Sequence, residues 1–394
     1  MPSGSSVELP KVTVSRRGAQ RLKAGHVWVY RSDVISPDGV APGSLVSVKD
    51  ERGRFLGSAW YSSGSQIAIR MLSRELVNNL EELLRRRVKE AIAYRELVVR
   101  DSDAYRIVFS EADFLPGLIV DRYNDLLSLQ ILTQAMDSEA VRATVLSELK
   151  SLNPASIVER IDPKIRELEQ LPARPSGMLE GEKTTTVFTM NGVQFHFDAL
   201  QGQKTGAFLD QRENYAAAAH YAHGEALDVF CYQGGFALHL ARRCARVTGV
   251  DSSRPALEVA DRNAILNGQD IEWIEANAFD LLHDYAAAGR QYDVIVLDPP
   301  SFARSKKNLV TGLRGYKELN IRALKMLRPS GILVSCSCSY HVSPADFLAL
   351  VTEAGQDVHR NIRLLEYRFQ AKDHPILLSV PETAYLKCAI LLVS

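Results

Sequence analysis

No run of apolar residues in this 394-residue chain is long enough to span a bilayer, and the opening MPSGSSVELPK lacks the apolar core of a signal peptide. A membrane partner is therefore not expected, and the cytosol is the expected location. Cysteine is scarce. The five residues Cys231, Cys244, Cys336, Cys338 and Cys388 are an odd number with no CxxC pair, which disfavours a disulfide framework and a zinc ribbon. Reduced thiols and no bound metal are the expectation. A net charge is also absent, with 47 basic residues balancing 47 acidic ones. The dinucleotide fingerprint GxGxxG is missing as well, so a nicotinamide cofactor is disfavoured.

The charge that is present is unevenly spread. Residues 1–75 hold eleven Lys and Arg against six acidic residues, a net +5, which suits a phosphate-bearing partner. In the same stretch, alternating runs such as SLVSVKD and QIAIRML are separated by SPDG, APGS and ERGR, the pattern of a small all-β module. Residues 76–98 carry apolar side chains at helical spacing with no Gly or Pro, and strand-like runs around LPG and YND lead to a helix expected at 137–150. This gives an α+β middle domain over 76–182, closed by a stretch at 172–184 whose Pro, Gly and charge suit a linker or exposed loop.

From 183 to the end, strands alternate with helices: ALDVF, a helix over 235–245, VTGVD, a helix over 253–267, IEWIEA, YDVIVLD, a helix over 313–328, and GILVSCS. Alternation of this kind predicts a doubly wound α/β parallel sheet with its ligand at the C-terminal strand ends. IRLLEYRF and YLKCAILLV then close the chain with no comparable helix between them, consistent with an antiparallel C-terminal pair.

The first strand of that sheet enters a turn in 226-ALDVFCYQGGFALHLA-241, which supplies Asp228 and the pair Gly234-Gly235, where backbone would approach a ligand. Asp251 ends the next strand, where a carboxylate can accept two ribose hydroxyls. A nucleoside without phosphate needs no phosphate cradle, and this combination points to S-adenosylmethionine. The alternative is two aspartates that merely cap helices. Asn277 and Ala278 are expected to end the third strand, beside an adenine edge. In 293-DVIVLDPPSFARSKK-307, Asp298 ends the fourth strand, and Pro299-Pro300 stiffen a turn of the kind that holds a flipped base.

GILVSCSCS is then the fifth strand, with its end beside Asp298. Cys336 and Cys338 lie two apart and would share a face, and the bland reading of such a pair is packing. A thiolate there can instead add to C6 of a pyrimidine and make C5 nucleophilic, help that an exocyclic amine does not need.

Taken with 24-AGHVWVYRSDV-34, 66-QIAIRML-72, 105-YRIVFSEADFLPGLIVDRY-123, 203-QKTGAFLDQREN-214, 230-FCYQGGF-236, 298-DPPSF-302, 335-SCSCS-339 and 374-HPILLSVPETAYLK-387, nearly the whole chain resembles the bacterial 23S rRNA 5-methylcytosine methyltransferases of the large-subunit methyltransferase I family. The resemblance implies an RNA-binding PUA domain at 1–75 and a class I methyltransferase domain at 183–394. Its implied partner is 23S rRNA, and a homodimer is compatible with it.

The resemblance makes Cys338 the nucleophile and Cys336 a buried neighbour. It places Asp228, Phe230, Tyr232, Gly234, Gly235, Asp251, Asn277, Ala278, Asp298 and Pro299 around the cofactor. Lys204 and Arg212 are set to meet the methionine carboxylate or the RNA backbone. Many RNA cytosine-5 enzymes carry a second cysteine directly after the two prolines, whereas this chain has Ser301, so the C5 proton must leave to another base, such as a water near Asp298.

Arg17, Arg21, Lys23 and Arg31 are the expected phosphate contacts, with His26, Trp28 and Tyr30 as stacking surfaces unless they are core, and Lys306 and Lys307 lie where a flipped base would enter. Two other readings remain: methylation of an exocyclic amine with Phe302 stacked on the base, and an inactive RNA-binding assembly factor.

Overall fold

The computed structural model describes residues 8–37, 39–200, 207–303 and 305–394. Lys204 lies outside them. The N-terminal sheet is built from β1 (Lys11–Val14), β2 (Trp28–Tyr30), β3 (Val34–Ser36), β4 (Leu45–Asp50), β5 (Phe55–Tyr61) and β6 (Ile67–Ser73), in the order β2-β6-β5-β4-β1-β3. Between β1 and β2 runs a helix absent from the sequence reading, α1 (Arg16–Lys23), whose first turn is capped by the Ser15 hydroxyl accepting from the Gly18 amide. It has only two turns and few apolar residues, too little for a helical period to register in the sequence.

The middle sheet follows α2 (Leu80–Val98) and comprises β7 (Ala104–Phe109), β8 (Leu118–Tyr123), β9 (Leu126–Ile131), β10 (Ser156–Glu159) and β11 (Gly177–Glu180), in the order β11-β10-β9-β8-β7. Two helices, α3 (Glu139–Lys150) and α4 (Pro163–Leu168), lie between β9 and β11. The expected linker at 172–184 thus contains a strand: β11 pairs antiparallel with β10. The Pro- and Gly-rich composition there marks the turns on either side of a short sheet edge.

The N-terminal and middle sheets share buried contacts. Arg70 reaches from β6 to Glu169 (3.0 Å), the Trp28 indole N–H donates to Glu111 (2.9 Å), and Trp60 packs into the core of the middle sheet. Trp28 therefore ties the N-terminal sheet to the middle one, and the ring of Tyr30 is covered by the Arg21 guanidinium, 4.5 Å from its centroid.

A hairpin, β12 (Thr185–Met190) and β13 (Val193–Asp198), links the middle sheet to the C-terminal one through stacked aromatics, with Phe197 lying 3.8 Å from Tyr123 between centroids. After α5 (Arg212–Tyr221) comes the C-terminal sheet. In chain order its elements are β14 (Glu225–Val229), α6 (Gly235–Leu240), β15 (Arg246–Asp251), α7 (Arg254–Leu266), β16 (Glu272–Glu275), α8 (Ala278–Ala287), β17 (Tyr292–Leu297), α9 (Leu309–Met326), β18 (Leu327–Ser337), α10 (Pro344–Asp357), β19 (Ile362–Arg368) and β20 (Lys387–Val393).

The strand order is β16-β15-β14-β17-β18-β20-β19. The first five strands are parallel, and β20 inserts antiparallel between β18 and β19, as the missing helix near the C-terminus predicts. β14 and β17 are adjacent and their crossovers leave in opposite directions, so a crevice opens at their C-terminal ends. No helix among the described residues is long and apolar enough to cross a membrane.

Candidate active site

The crevice is floored by carboxylates. Asp228 is fully buried one residue before the end of β14; one oxygen accepts the Ala237 amide at 2.8 Å, and the other has no partner among the described residues. Burial pushes this carboxyl up to about 8, with the charges of Asp298 and Asp251 adding to the effect. Asp298 follows β17, and its carboxyl is pushed up to about 7, first by burial and then by Asp210. Asp251 ends β15 and receives the Tyr232 amide and the Ser253 amide, each at 2.9 Å.

The turn between β14 and α6 holds Phe230 and Tyr232 at positive φ (69° and 49°), a strained backbone for large side chains and a feature that concentrates at functional turns. Gly234 is also left-handed (φ 86°). The two glycines are required by protein neighbours: a Cβ on Gly235 would lie 2.4 Å from the Tyr215 ring, and one on Gly234 would lie 2.9 Å from Trp273. Both positions thus seat an aromatic ring of the protein, and Gly235 also lines the crevice itself. Around Gly235 the crevice is lined by Ala207, Phe208, Phe230, Tyr232, Gln233 and Asp298, with Phe208 and Tyr232 in edge-to-face contact.

β16 stops at Glu275, so Asn277 and Ala278 do not end a strand. Asn277 caps α8, its side-chain oxygen accepting from Phe279 (2.9 Å), and Ala278 is buried. The capping side chain is thus committed locally.

Asp210, Gln211, Arg212 and Asn214 of the DQREN segment were legible only as a pattern. Arg368 Nε donates to the side-chain oxygen of Asn214 (3.0 Å), Asn214 donates to Gln211 Oε1 (2.7 Å), and Gln211 Nε2 donates to Asp298 Oδ1 (3.0 Å). This relay fixes which end of the Gln211 amide meets Asp298. Asp210 accepts the Tyr385 hydroxyl at 2.6 Å. Arg212, expected at the cofactor or the RNA, is 2% exposed and pairs at 2.8 Å with the fully buried Asp373. Burial works against ionisation of Asp373, and His374, Arg212 and the Arg106 amide overcome it, holding the carboxyl below the usual range. The structure thus uses Arg212 to tie α5 to the C-terminal segment.

The two cysteines separate cleanly. Cys336 lies in β18 directly opposite Cys388 of β20; it is 0% exposed, and burial pushes its thiol well above the ordinary range. β18 ends at Ser337, so Cys338 leaves the strand pattern. It is half-buried, with its sulfur 3.9 Å from the Pro299 carbonyl oxygen. The Asp-Pro-Pro turn and Cys338 therefore meet. The junction is braced by Ser339, whose hydroxyl lies 2.9 Å from Ser301 Oγ and 2.8 Å from the Tyr316 hydroxyl while accepting the Ala303 amide. Ser339 and Tyr316 escaped the sequence reading, and Ser301 entered it only as the residue in place of a second cysteine, because their contacts cross three separate elements.

Two similarities decide the family. Residues 12–74 match the model of a PUA-like domain, and residues 125–389 match that of the S-adenosylmethionine-dependent methyltransferases, a match that begins inside the middle sheet. The chain is 37% identical over 381 residues to ribosomal RNA large subunit methyltransferase I of Photobacterium profundum, covering 93% of this chain and 95% of that protein. The chain belongs to the ribosomal RNA large subunit methyltransferase I family. The enzyme of that name from Tolumonas auensis is 38% identical over 92% of this chain and 94% of its own length.

The fold agrees. A methyltransferase solved with SAH superposes with a TM-score of 0.83, and an S-adenosylmethionine-dependent methyltransferase from Streptococcus mutans with 0.82, each at 19% identity over 98% of this chain and all of the other. S-adenosylmethionine is accordingly the cofactor. The donor set fits it: a half-buried carboxylate at Asp251, a buried oxygen on Asp228 with no partner among the described residues, and aromatic walls.

The basic residues divide into two groups. Arg31 is spent internally, donating to the Ser63 (2.6 Å) and Ser65 (2.8 Å) carbonyls. Arg17 pairs with Asp33 (2.7 Å), and Lys23 lies 3.8 Å from Asp50, yet their side chains remain 69% and 53% exposed. Lys306 and Lys307 are exposed in the short turn before α9.

Proposed function

We propose that this chain methylates carbon 5 of a cytosine in 23S ribosomal RNA, with Cys338 as the nucleophile. The observation that carries the reading is the meeting of an accessible thiol with the Asp-Pro-Pro turn, 3.9 Å from the Pro299 carbonyl, while Cys336 is sealed in the sheet.

S-adenosylmethionine supplies an electrophilic methyl group on a sulfonium. Asp251 would receive the ribose hydroxyls, and Phe230, Tyr232 and the turn at Asn277–Ala278 would enclose the nucleoside. The Cys338 thiolate adds to C6 of the flipped base, and the electron pair displaced to C5 would accept the methyl as its bond to the sulfonium sulfur breaks, leaving the neutral thioether S-adenosylhomocysteine. Asp298, partly protonated near neutral pH, donates a hydrogen bond to ring nitrogen N3 and draws density from C6. The C5 proton then leaves to solvent, the C6–S bond breaks, and the double bond and the thiolate are restored. Lys306 and Lys307 meet the RNA backbone at the mouth, and Arg17, Arg21 and Lys23 do so on the N-terminal domain.

The test is methyl transfer to rRNA followed by mass spectrometry of the nucleosides. Wild type should yield 5-methylcytosine, Cys338→Ala none, and Cys336→Ala a substantial fraction. An N-methylated base, or full activity in Cys338→Ala, would overturn the proposal.

A further inference from the structure

Lysine is rarely buried without a countercharge, because desolvation disfavours the ammonium. Lys387 opens β20 directly opposite Ser337 and is 3% exposed. Its ammonium donates to the Ser339 carbonyl at 2.6 Å and to the Tyr385 carbonyl at 2.8 Å. Among the described residues it makes no ion pair with a carboxylate. The two residues it grips or faces, Ser337 and Ser339, flank Cys338.

We propose that Lys387 is the positioning residue of Cys338: its buried ammonium fixes the loop that carries the thiol and supplies the positive charge that keeps the sulfur as thiolate. The inference rests on the reading of Cys338 as the nucleophile and adds the means of its activation. In the resting protein the Cys338 proton goes to solvent and the ammonium keeps its own three, so thiolate and ammonium form a neutral pair. Burial brings Lys387 down to about 8, and the charge of Cys338 works in the opposite direction, as expected for such a pair.

The other titratable groups around the thiol do not supply this charge. Tyr316 on α9, raised by burial, is neutral at pH 7. Asp298 beyond β17 is anionic when ionised and opposes a thiolate. Tyr385 donates its hydroxyl to Asp210. Arg368 on β19 is engaged by Glu366 (2.6 Å) and Asn214. Because Lys387 is charged below about 8 and loses its proton above, its effect on the thiol belongs to the lower pH range and fades as the ammonium titrates.

The experiment is the pH profile of Cys338 alkylation by iodoacetamide in the full chain, read at that residue by peptide mass spectrometry. Lys387→Met should move the midpoint up by about one pH unit or more, an alkylation roughly tenfold slower at pH 7, with convergence on wild type above pH 9. Lys387→Arg should restore most of the low-pH reactivity. If the Met variant does not fold, Lys387→Gln supplies the neutral side chain with donors retained. An unmoved profile in a folded neutral variant overturns the inference. Methyl transfer by Cys338→Ala is measured alongside: activity there sinks the nucleophile itself, whereas a dead Cys338→Ala with an unmoved profile sinks only the role of Lys387.

Discussion

Replacing Asp228 by Asn probes the floor of the crevice through stability alone. In the native chain this carboxyl titrates near 8, whereas an unfolded aspartate titrates near about 3.9. The folded value is raised, so the native state is best favoured at low pH, and stability is lost as pH rises from the unfolded toward the folded pKa. Each pH unit in that window costs about 1.4 kcal/mol, on the order of 4 kcal/mol between pH 5 and pH 8. Asparagine keeps an oxygen for the Ala237 amide and has no proton to lose, although its NH₂ inherits the position with no partner, a pH-independent penalty of about 1–3 kcal/mol. Urea unfolding at pH 5, 6, 7 and 8 should therefore show the variant weaker than or equal to wild type at pH 5 and gaining on it steadily to pH 8. Parallel curves would show that Asp228 is ionised in the native state and would refute the burial argument.

Asp298→Asn should show the same crossover over a narrower window, because its folded carboxyl lies near 7, and should also lose methyl transfer. Asp251→Ala should weaken S-adenosylmethionine by about 1.5–3 kcal/mol in calorimetry, since it also frees the Tyr232 and Ser253 amides; unchanged affinity would move the ribose site elsewhere. Arg212→Leu leaves Asp373 buried with only His374 and the Arg106 amide and should cost about 3 kcal/mol in denaturant unfolding, a loss that a cofactor-contacting arginine would not show. Lys306→Ala with Lys307→Ala should weaken RNA binding and reduce the slope of log affinity against log salt by about two, while equal slopes would take these lysines out of the RNA path.

Much of the catalytic sheet was legible because hydrophobic alternation is local. The order of strands and helices, the antiparallel pair at the C-terminus and the carboxylates at strand ends all follow from runs of five to eight residues. What escaped the sequence depends on distance along the chain. Arg212 meets Asp373 across 161 positions and Asn214 meets Phe369 across 155, and neither segment announces its partner. Lys387 sits in a strand whose composition reads as core, and only the register with β18 brings it beside Cys338. Strand periodicity alone also put both cysteines on one face. The end of β18 at Ser337 is what separates a sealed thiol from a usable one.

The central claim is that Cys338 bonds covalently to C6 of the target base. Wild-type enzyme, given S-adenosylmethionine and rRNA containing 5-fluorocytosine, should form a complex that survives denaturing electrophoresis, because fluorine cannot leave as the C5 proton does. Peptide mapping should place the nucleotide on Cys338, and Cys338→Ala should give no such band. A wild-type enzyme that methylates natural RNA yet forms no adduct with the fluorinated RNA, or an adduct that maps to another residue, would contradict the account.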